Sequence, residues 1–353
     1  MKRNSGKWTK RVAIACAALL LASPCAEIAA PQTAEAGGDL FGALIGGGIE
    51  YIQLKKEIDY IDGTEKGRNE YFAAMKKQYG VNDDWALNQK LTRIMTNLSA
   101  AIASVDPSIN KKPYQYFINK DKSFNAFCSL GHDMSVNTGM FTLVDSDDEI
   151  AVVLGHEMGH GQKGHPAKGA KRSLGPAVLA SATGNMLGNI AASLWNNQGI
   201  TKPMEWEADN LSFDYITHSD YNPGATAAIW QRVIDKYGDQ NIWNSDHPSN
   251  TARRDNYEKK LYAYSGNHVH AKDGTVTVNG KTFCKPAATS SMSAKERSYF
   301  VQGNLAAAYK NGQNKSDATV SGSTVMLGDQ PILTCTANDE SAETLANRLN
   351  QIK

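Results

Sequence analysis

The sequence predicts an α+β fold, mainly helical, with a small antiparallel sheet and a small α+β unit at the C-terminus. Three observations carry that expectation. Long segments repeat apolar residues at three- and four-residue spacing, the period of a helix with one buried face. Two runs in the middle of the chain, 114–127 and 134–144, are rich in aromatic and β-branched residues. Beyond residue 267, Asn279-Gly280 and Gly328-Asp329 interrupt alternating segments in the manner of hairpin turns. A chain of 353 residues has room for one sizeable core and a small second unit.

Taken in order, Lys2, Arg3, Lys7, Lys10 and Arg11 precede an apolar run from Val12 to Ala22, and Ala34-Glu35-Ala36 offers a small-x-small cleavage site. Residues 1–36 therefore read as an export signal, too short for a stable span. A lipid-anchor reading at Cys25 is weaker, because Pro24 sits where a small residue is expected. Cleavage would remove five positive and two negative charges and take the formal net charge from +1 to −2. With balanced charge and no basic stripe, nothing points to nucleic acid. Residues 37–64 read as a glycine-rich arm (Gly37–Gly48) leading into a helix. The arm could touch a membrane or an envelope protein, but packing on the core is the simpler reading.

Glu65–Tyr79 and Asp84–Val105 read as helices, the second ended by Asp106-Pro107. Tyr114–Ile118, Phe124–Phe127, Met134–Val136 and Met140–Val144 read as strands. Ser146 and Glu149 form a capping-box pair before the next helix, whose buried face carries Ile150, Val153, Leu154 and Met158. Residues 174–198 contain no charge, yet their scattered Gly, Ser, Thr and Asn favour interhelix packing over a membrane span. Past 267, Gly274–Phe283 and Val325–Thr334 read as hairpins. Ser293 and Glu296 form a second capping box, and Ser341–Ile352 reads as a closing helix.

His156-Glu157-Met158-Gly159-His160 carries the chemistry. On a helix, i and i+4 stack, so the two imidazoles face one point, with Glu157 beside them. Two zinc ligands and a general base have this spacing. A third ligand is required. The metzincin continuation is excluded, because Lys163 and Pro166 stand where Gly and His would be. Pro203-Met204-Glu205-Trp206-Glu207-Ala208-Asp209 opens a second helix, and Glu205 and Asp209 are like charges at i and i+4, which a cation would relieve. Glu205 is the expected third ligand. Asp209 is expected to accept the free ring N–H of a ligand histidine, with Glu207 ordinary surface. His132, His165, His218, His268 and His270 read as solvated or hydrogen-bonded histidines. On a continuous helix His165, five residues past His160, points away from the metal.

HEMGH followed by the Glu205-Trp206-Glu207-Ala208-Asp209 block resembles the ExxAD pattern of the family-48 metallopeptidases of clan MA. These are the gluzincins that include CAAX prenyl endopeptidases, heat-shock membrane proteases and the β-barrel assembly-enhancing protease. Asn125-Ala126-Phe127 with Met134 to Leu143 resembles the strand pair before the metal helix, and Asp246-His247-Pro248 with Arg253 resembles the family's HPxxxxR element. The similarity covers roughly residues 65–262 and weakens at Cys128-Ser129-Leu130-Gly131. It implies a zincin-like metallopeptidase domain over 65–266 holding one Zn2+ per chain on His156, His160 and Glu205. Glu157 would serve as general base, and a polypeptide substrate would lie as an extended strand along Asn125–Phe127 or Met134–Asn137. His247 would either steady an oxyanion or occupy the metal's open position, and Arg253 would brace that loop or pair with a carboxylate. The expected activity is that of an exported zinc endopeptidase of the periplasm or envelope, possessing a role in protein quality control. The competing reading is an envelope chaperone or scaffold with a locked or vestigial metal site. The resemblance does not extend to the 267–353 unit. After signal removal three cysteines remain. Cys284 and Cys335 are expected to pair as a disulfide after their hairpins, with Cys128 a buried thiol.

Overall fold

The computed structural model describes residues 49–172, 200–239 and 248–353. The export signal, the glycine-rich arm, residues 174–198 and His247 lie outside the described residues. The architecture is α+β as expected, with small sheets among many helices, and it divides into two compact units. Among the described residues the first unit takes 49–144, 156–172 and 200–208; the second takes 145–155, 209–239 and 248–353.

The first unit begins with three helices, α1 (Ile49–Gly63), α2 (Glu65–Tyr79) and α3 (Trp85–Val105). Each start of α2 and α3 is set by a short polar side chain satisfying an otherwise orphaned amide. Thr64 Oγ1 accepts from Gly67 N at 3.0 Å, and Asp84 Oδ1 accepts from Leu87 N at 2.9 Å. α3 buries Leu91, Ile94, Met95, Leu98 and Ile102, the stripe its spacing predicts. Three strands follow: β1 (Gln115–Asn119), β2 (Ala126–Cys128) and β3 (Asp133–Asn137), in the order β1–β3–β2. β1 runs parallel to β3 and β2 antiparallel, so β2 is an edge of this sheet. Tyr71, Met75, Phe117 and Leu130 pack into one buried cluster with Ile58 and Ile61.

Residues 140–144, expected as a strand, instead open with the single-turn helix α4 (Met140–Leu143). The amides of Phe141, Thr142 and Leu143 bond back to Thr138 and Gly139, a turn begun by Asn137-Thr138-Gly139 that alternation alone does not reveal. The metal-motif helix α5 (Asp147–Gln162) follows, residues 165–172 are helical, and α6 (Lys202–Thr217) carries the Glu205 block.

In the second unit, Ser212 Oγ on α6 donates to Val152 O on α5 at 2.8 Å. Glu149, expected in a capping box, is buried with its carboxylate facing Arg232 of α7 (Ala225–Tyr237). After α8 (Asn250–Tyr264) the chain builds the same motif twice. The strands β4 (Val269–Lys272), β5 (Thr275–Val278) and β6 (Lys281–Cys284) precede α9 (Ala294–Lys310). A second set, β7 (Ala318–Ser321), β8 (Thr324–Leu327) and β9 (Gln330–Thr334), precedes α10 (Ala342–Ile352). Both sheets are antiparallel meanders, and each shifts register at the same place, after Val276 and after Val325. Asn279 (φ 51°) and Gly280 (φ 76°) make the primed turn their identity predicts. Ser293 and Glu296 form the expected capping box. A single apolar cluster runs from Ala227, Ala228, Tyr257 and Leu261 through Val276 and Leu305 to Leu349, so the repeats share a core with α7 and α8.

No disulfide is present among the described residues. Cys284, Cys335 and Cys128 are all free thiols. Cys284 pairs with Val276 and is buried, whereas the equivalent position of the second repeat, opposite Val325, is Leu333. Cys335 falls two residues later, beyond β9, so the two cysteines do not occupy matched positions.

Candidate metal centre and active site

α5 presents His156 and His160 one turn apart, and both are buried. Their Nε2 atoms lie 3.0 Å from each other. Glu205, near the start of α6 and also buried, brings Oε2 to 3.5 Å from His156 Nε2 and Oε1 to 3.4 Å from His160 Nε2. One ligand atom from each of the three falls within 4.8 Å of the others, the one such cluster of metal-ligating groups among the described residues. Ligand atoms bound to zinc at about 2.0–2.1 Å on a tetrahedron stand about 3.4 Å apart, so the observed spacings fit one face of that figure. Nitrogen and carboxylate oxygen are also a donor set zinc accepts.

Glu157 faces the sheet. Its Oε2 accepts from the backbone N of Cys128 at 3.0 Å. Burial pushes its carboxyl above the ordinary range, with His156 and His160 pulling the other way. The ladder explains why this amide is available. Asn125 O accepts from Asn137 N at 2.9 Å, and Ser129 N donates to Asp133 O at 2.8 Å. Alternate residues of an antiparallel strand face its partner, so Ala126 and Cys128 turn their backbone groups to the outer edge of β2. Asn125 and Phe127 spend theirs on β3. Close packing of helix and sheet depends on Gly161, where a Cβ would stand 2.4 Å from Tyr114 Oη and 3.0 Å from Cys128 Sγ. Tyr114 Oη in turn donates to Met158 O at 2.6 Å.

The surroundings of the ligands depart from expectation. His160 Nδ1 lies 2.9 Å from His165 Nδ1, and His165 Nε2 lies 3.2 Å from Glu207 Oε2. His165 is buried, and its pKa is pushed down to about 4, first by burial and then by His160. Two residues read as unconnected to the candidate metal site thus stand directly behind His160. The reason is local. α5 ends at Gln162, and Gly164 takes the left-handed conformation (φ 62°), so the chain doubles back instead of carrying His165 round a continuous helix. The Gly after Lys163 is a break signal the sequence does contain.

Asp209, expected behind a ligand histidine, accepts from Arg253 Nε at 2.8 Å, from a second guanidinium N–H of Arg253, and from Tyr257 Oη at 3.1 Å. Arg253 also stacks on Trp230, 3.7 Å from the ring centre. Outside the centre, His132 Nδ1 bonds Lys112 O at 2.8 Å, and His218 Nδ1 lies 2.8 Å from Asp214 O. His268 bonds Asn279 and His270 pairs with Glu258.

A helix-borne His/Glu/His triplet completed by a glutamate from a second helix, beside an edge strand, defines a gluzincin-type metallopeptidase centre. Residues 86–260 match the model of peptidase family M48, and the chain carries a domain of that family of protease hydrolases. The metalloprotease LoiP of Escherichia coli K12 is 27% identical over 188 residues, which cover 50% of this chain and 73% of LoiP. The mitochondrial metalloendopeptidase OMA1 of Arabidopsis thaliana is 24% identical over 202 residues, 54% of this chain and 42% of its own length. The β-barrel assembly-enhancing protease of Escherichia coli K12 is 23% identical over 162 residues, 41% of this chain and 33% of its own. The match thus spans less than half of the latter two relatives.

Proposed function

We propose that this chain is an exported zinc endopeptidase that holds a polypeptide as an extended strand against β2. The observation that carries this reading is the conjunction of three buried ligand atoms with a glutamate anchored to an edge-strand amide. Zinc bound by His156, His160 and Glu205 would supply Lewis-acid chemistry, acidifying water and polarising a carbonyl. Glu157 keeps Oε2 on the Cys128 amide and uses Oε1 to take a proton from water and pass it to the leaving amine. The outward N–H and C=O of Ala126 and the C=O of Cys128 pair with substrate backbone, a mode that reads main chain more than side chains.

Export rests on residues 1–36, and an envelope setting is consistent with a relative whose name refers to β-barrel assembly. No helix among the described residues is long and apolar enough to cross a membrane. In this reading His247 acts at the same centre, as oxyanion donor or as occupant of the open metal position. Purified protein should contain about one zinc per chain and cleave casein, with Glu157→Gln retaining zinc and losing cleavage. Zinc below a third of an equivalent in chelator-free preparations would overturn the metal assignment. Undiminished cleavage by Glu157→Gln would overturn the base assignment, and a zinc-loaded but inactive wild type would leave the scaffold reading standing.

A further inference from the structure

His165 and Glu207 form a relay behind the metal centre. His160 turns Nε2 toward His156 and Glu205, at 3.0 and 3.4 Å, so the lone pair a metal would use belongs on that nitrogen. Its proton must then sit on Nδ1, which points at His165 Nδ1 2.9 Å away. Two ring nitrogens at that distance can share only one proton, so His165 Nδ1 is the acceptor and its own proton lies on Nε2. That nitrogen meets Glu207 Oε2 at 3.2 Å. One tautomer satisfies the whole chain: His160 donates to His165, and His165 donates to Glu207. The fold supports the arrangement at both ends. Gly164 folds His165 back under His160, where it is 1% exposed, and the His160 and His165 rings meet edge-to-face at 5.0 Å. At the far end Lys163 Nζ stands 3.6 Å from Glu207 Oε1 and holds that half-exposed carboxylate near the turn.

We infer that His165 and Glu207 are positioning residues that fix His160 as an Nε2 metal ligand and raise its basicity through the hydrogen-bonded chain. An outer partner of a ligand histidine orients the ring, sets its tautomer and strengthens it as a donor. A histidine that merely fills space beside His160 would do none of these. The inference rests on the metal reading given above and adds to it the residues that set the affinity.

The test is the zinc dissociation constant of the full chain, measured by competition with a chromogenic chelator. His165→Phe fills the volume without an acceptor and should weaken zinc about 10–100-fold. His165→Asn can place Oδ1 where the ring Nδ1 stood, and should recover affinity to within about fivefold of wild type. Glu207→Ala, at an exposed position that folding tolerates, should weaken zinc by a smaller factor, about three- to tenfold. Tight binding by a folded His165→Phe, or equal losses in the Phe and Asn variants, would overturn the relay and leave packing as the role of His165. If neither His165 variant folds, Glu207→Ala decides, and wild-type affinity there overturns the proposal. Failure of the metal reading is a different result: the wild type itself would bind no zinc.

Discussion

Two buried carboxylates on α6 meet opposite fates. Asp209 lies against the guanidinium of Arg253 and the hydroxyl of Tyr257, so the protein supplies its own countercharge and a third donor. Glu205, four residues earlier in sequence, faces two imidazoles at 3.4 and 3.5 Å, groups that are neutral when they offer lone pairs. A carboxylate and two ring nitrogens crowded together repel unless protons or a cation lie among them. The Asp209 cluster thus holds a guanidinium against its carboxylate, whereas the Glu205 cluster gathers groups that could hold a metal ion. Like residues on one helix serve as a structural anchor in one case and a candidate ligand in the other, and the difference lies in what faces them.

The largest effect that sharpens this contrast is catalytic. Glu157→Gln should lower casein cleavage by about 10²–10⁴-fold while zinc content, measured by elemental analysis, stays at the wild-type level. Glu205→Ala should lose both, and its melting temperature should cease to respond to zinc. In the wild type, zinc at a thousandfold excess over its dissociation constant should add about 4 kcal/mol of stability. The Asp209 cluster should behave in the opposite way. Arg253→Ala strands a buried carboxylate and should cost about 3–5 kcal/mol whether or not zinc is present. Urea melts of the two variants, each with zinc and with chelator, decide the matter. A zinc-dependent loss in Arg253→Ala, or a zinc-independent loss of that size in Glu205→Ala, would erase the distinction.

How much of this was legible in the chain depends on range. Features written within about four residues came through: the Glu65 and Asp84 starts of α2 and α3 to within a residue, the Asn279-Gly280 turn, the Ser293 and Glu296 box, and the stacking of His156 and His160 on one helix. The approach of Glu205 to His156 and His160 was legible as well, because the motif asks for a third acidic or imidazole group and a helix opening with repelling acids offers one. What stayed hidden depends on backbone breaks or distant partners. Gly164 redirects His165 by one left-handed residue, and helical periodicity assumes no such break. Asp209 finds Arg253 across 44 positions, and Glu149 finds Arg232 across 83, separations that local spacing does not pair. The disulfide expected between Cys284 and Cys335 is not formed, and spacing after a turn does not fix which residues face each other across a meander.

A third acidic cluster in the second unit gives the smallest and most pH-dependent expectation. Arg232 lies between Glu149, 3.2 Å from its Nε to Oε1, and Glu296, with which its other end pairs. One guanidinium serves two buried carboxylates. Burial raises the Glu296 pKa from 4.5 to about 8, with Glu149 adding to the rise and Arg232 opposing it. The folded state consequently holds a proton that the unfolded chain has released between about pH 4.5 and 8. More protons bound in the native state means that stability falls as pH rises through that window, and is fully present below it. Glu296→Gln removes the titration while preserving the capping box, in which glutamine serves as well as glutamate. At pH 5 the variant should melt close to wild type, since the native side chain is then protonated and nearly isosteric with the amide. Toward pH 8 the variant should gain on wild type, and the crossover is read from paired thermal melts across the range. A variant that instead loses ground as pH rises would mean that both carboxylates are ionised on Arg232 at neutral pH. The cluster would then be a net-favourable ion triad, self-sufficient in the same way as Asp209 and Arg253.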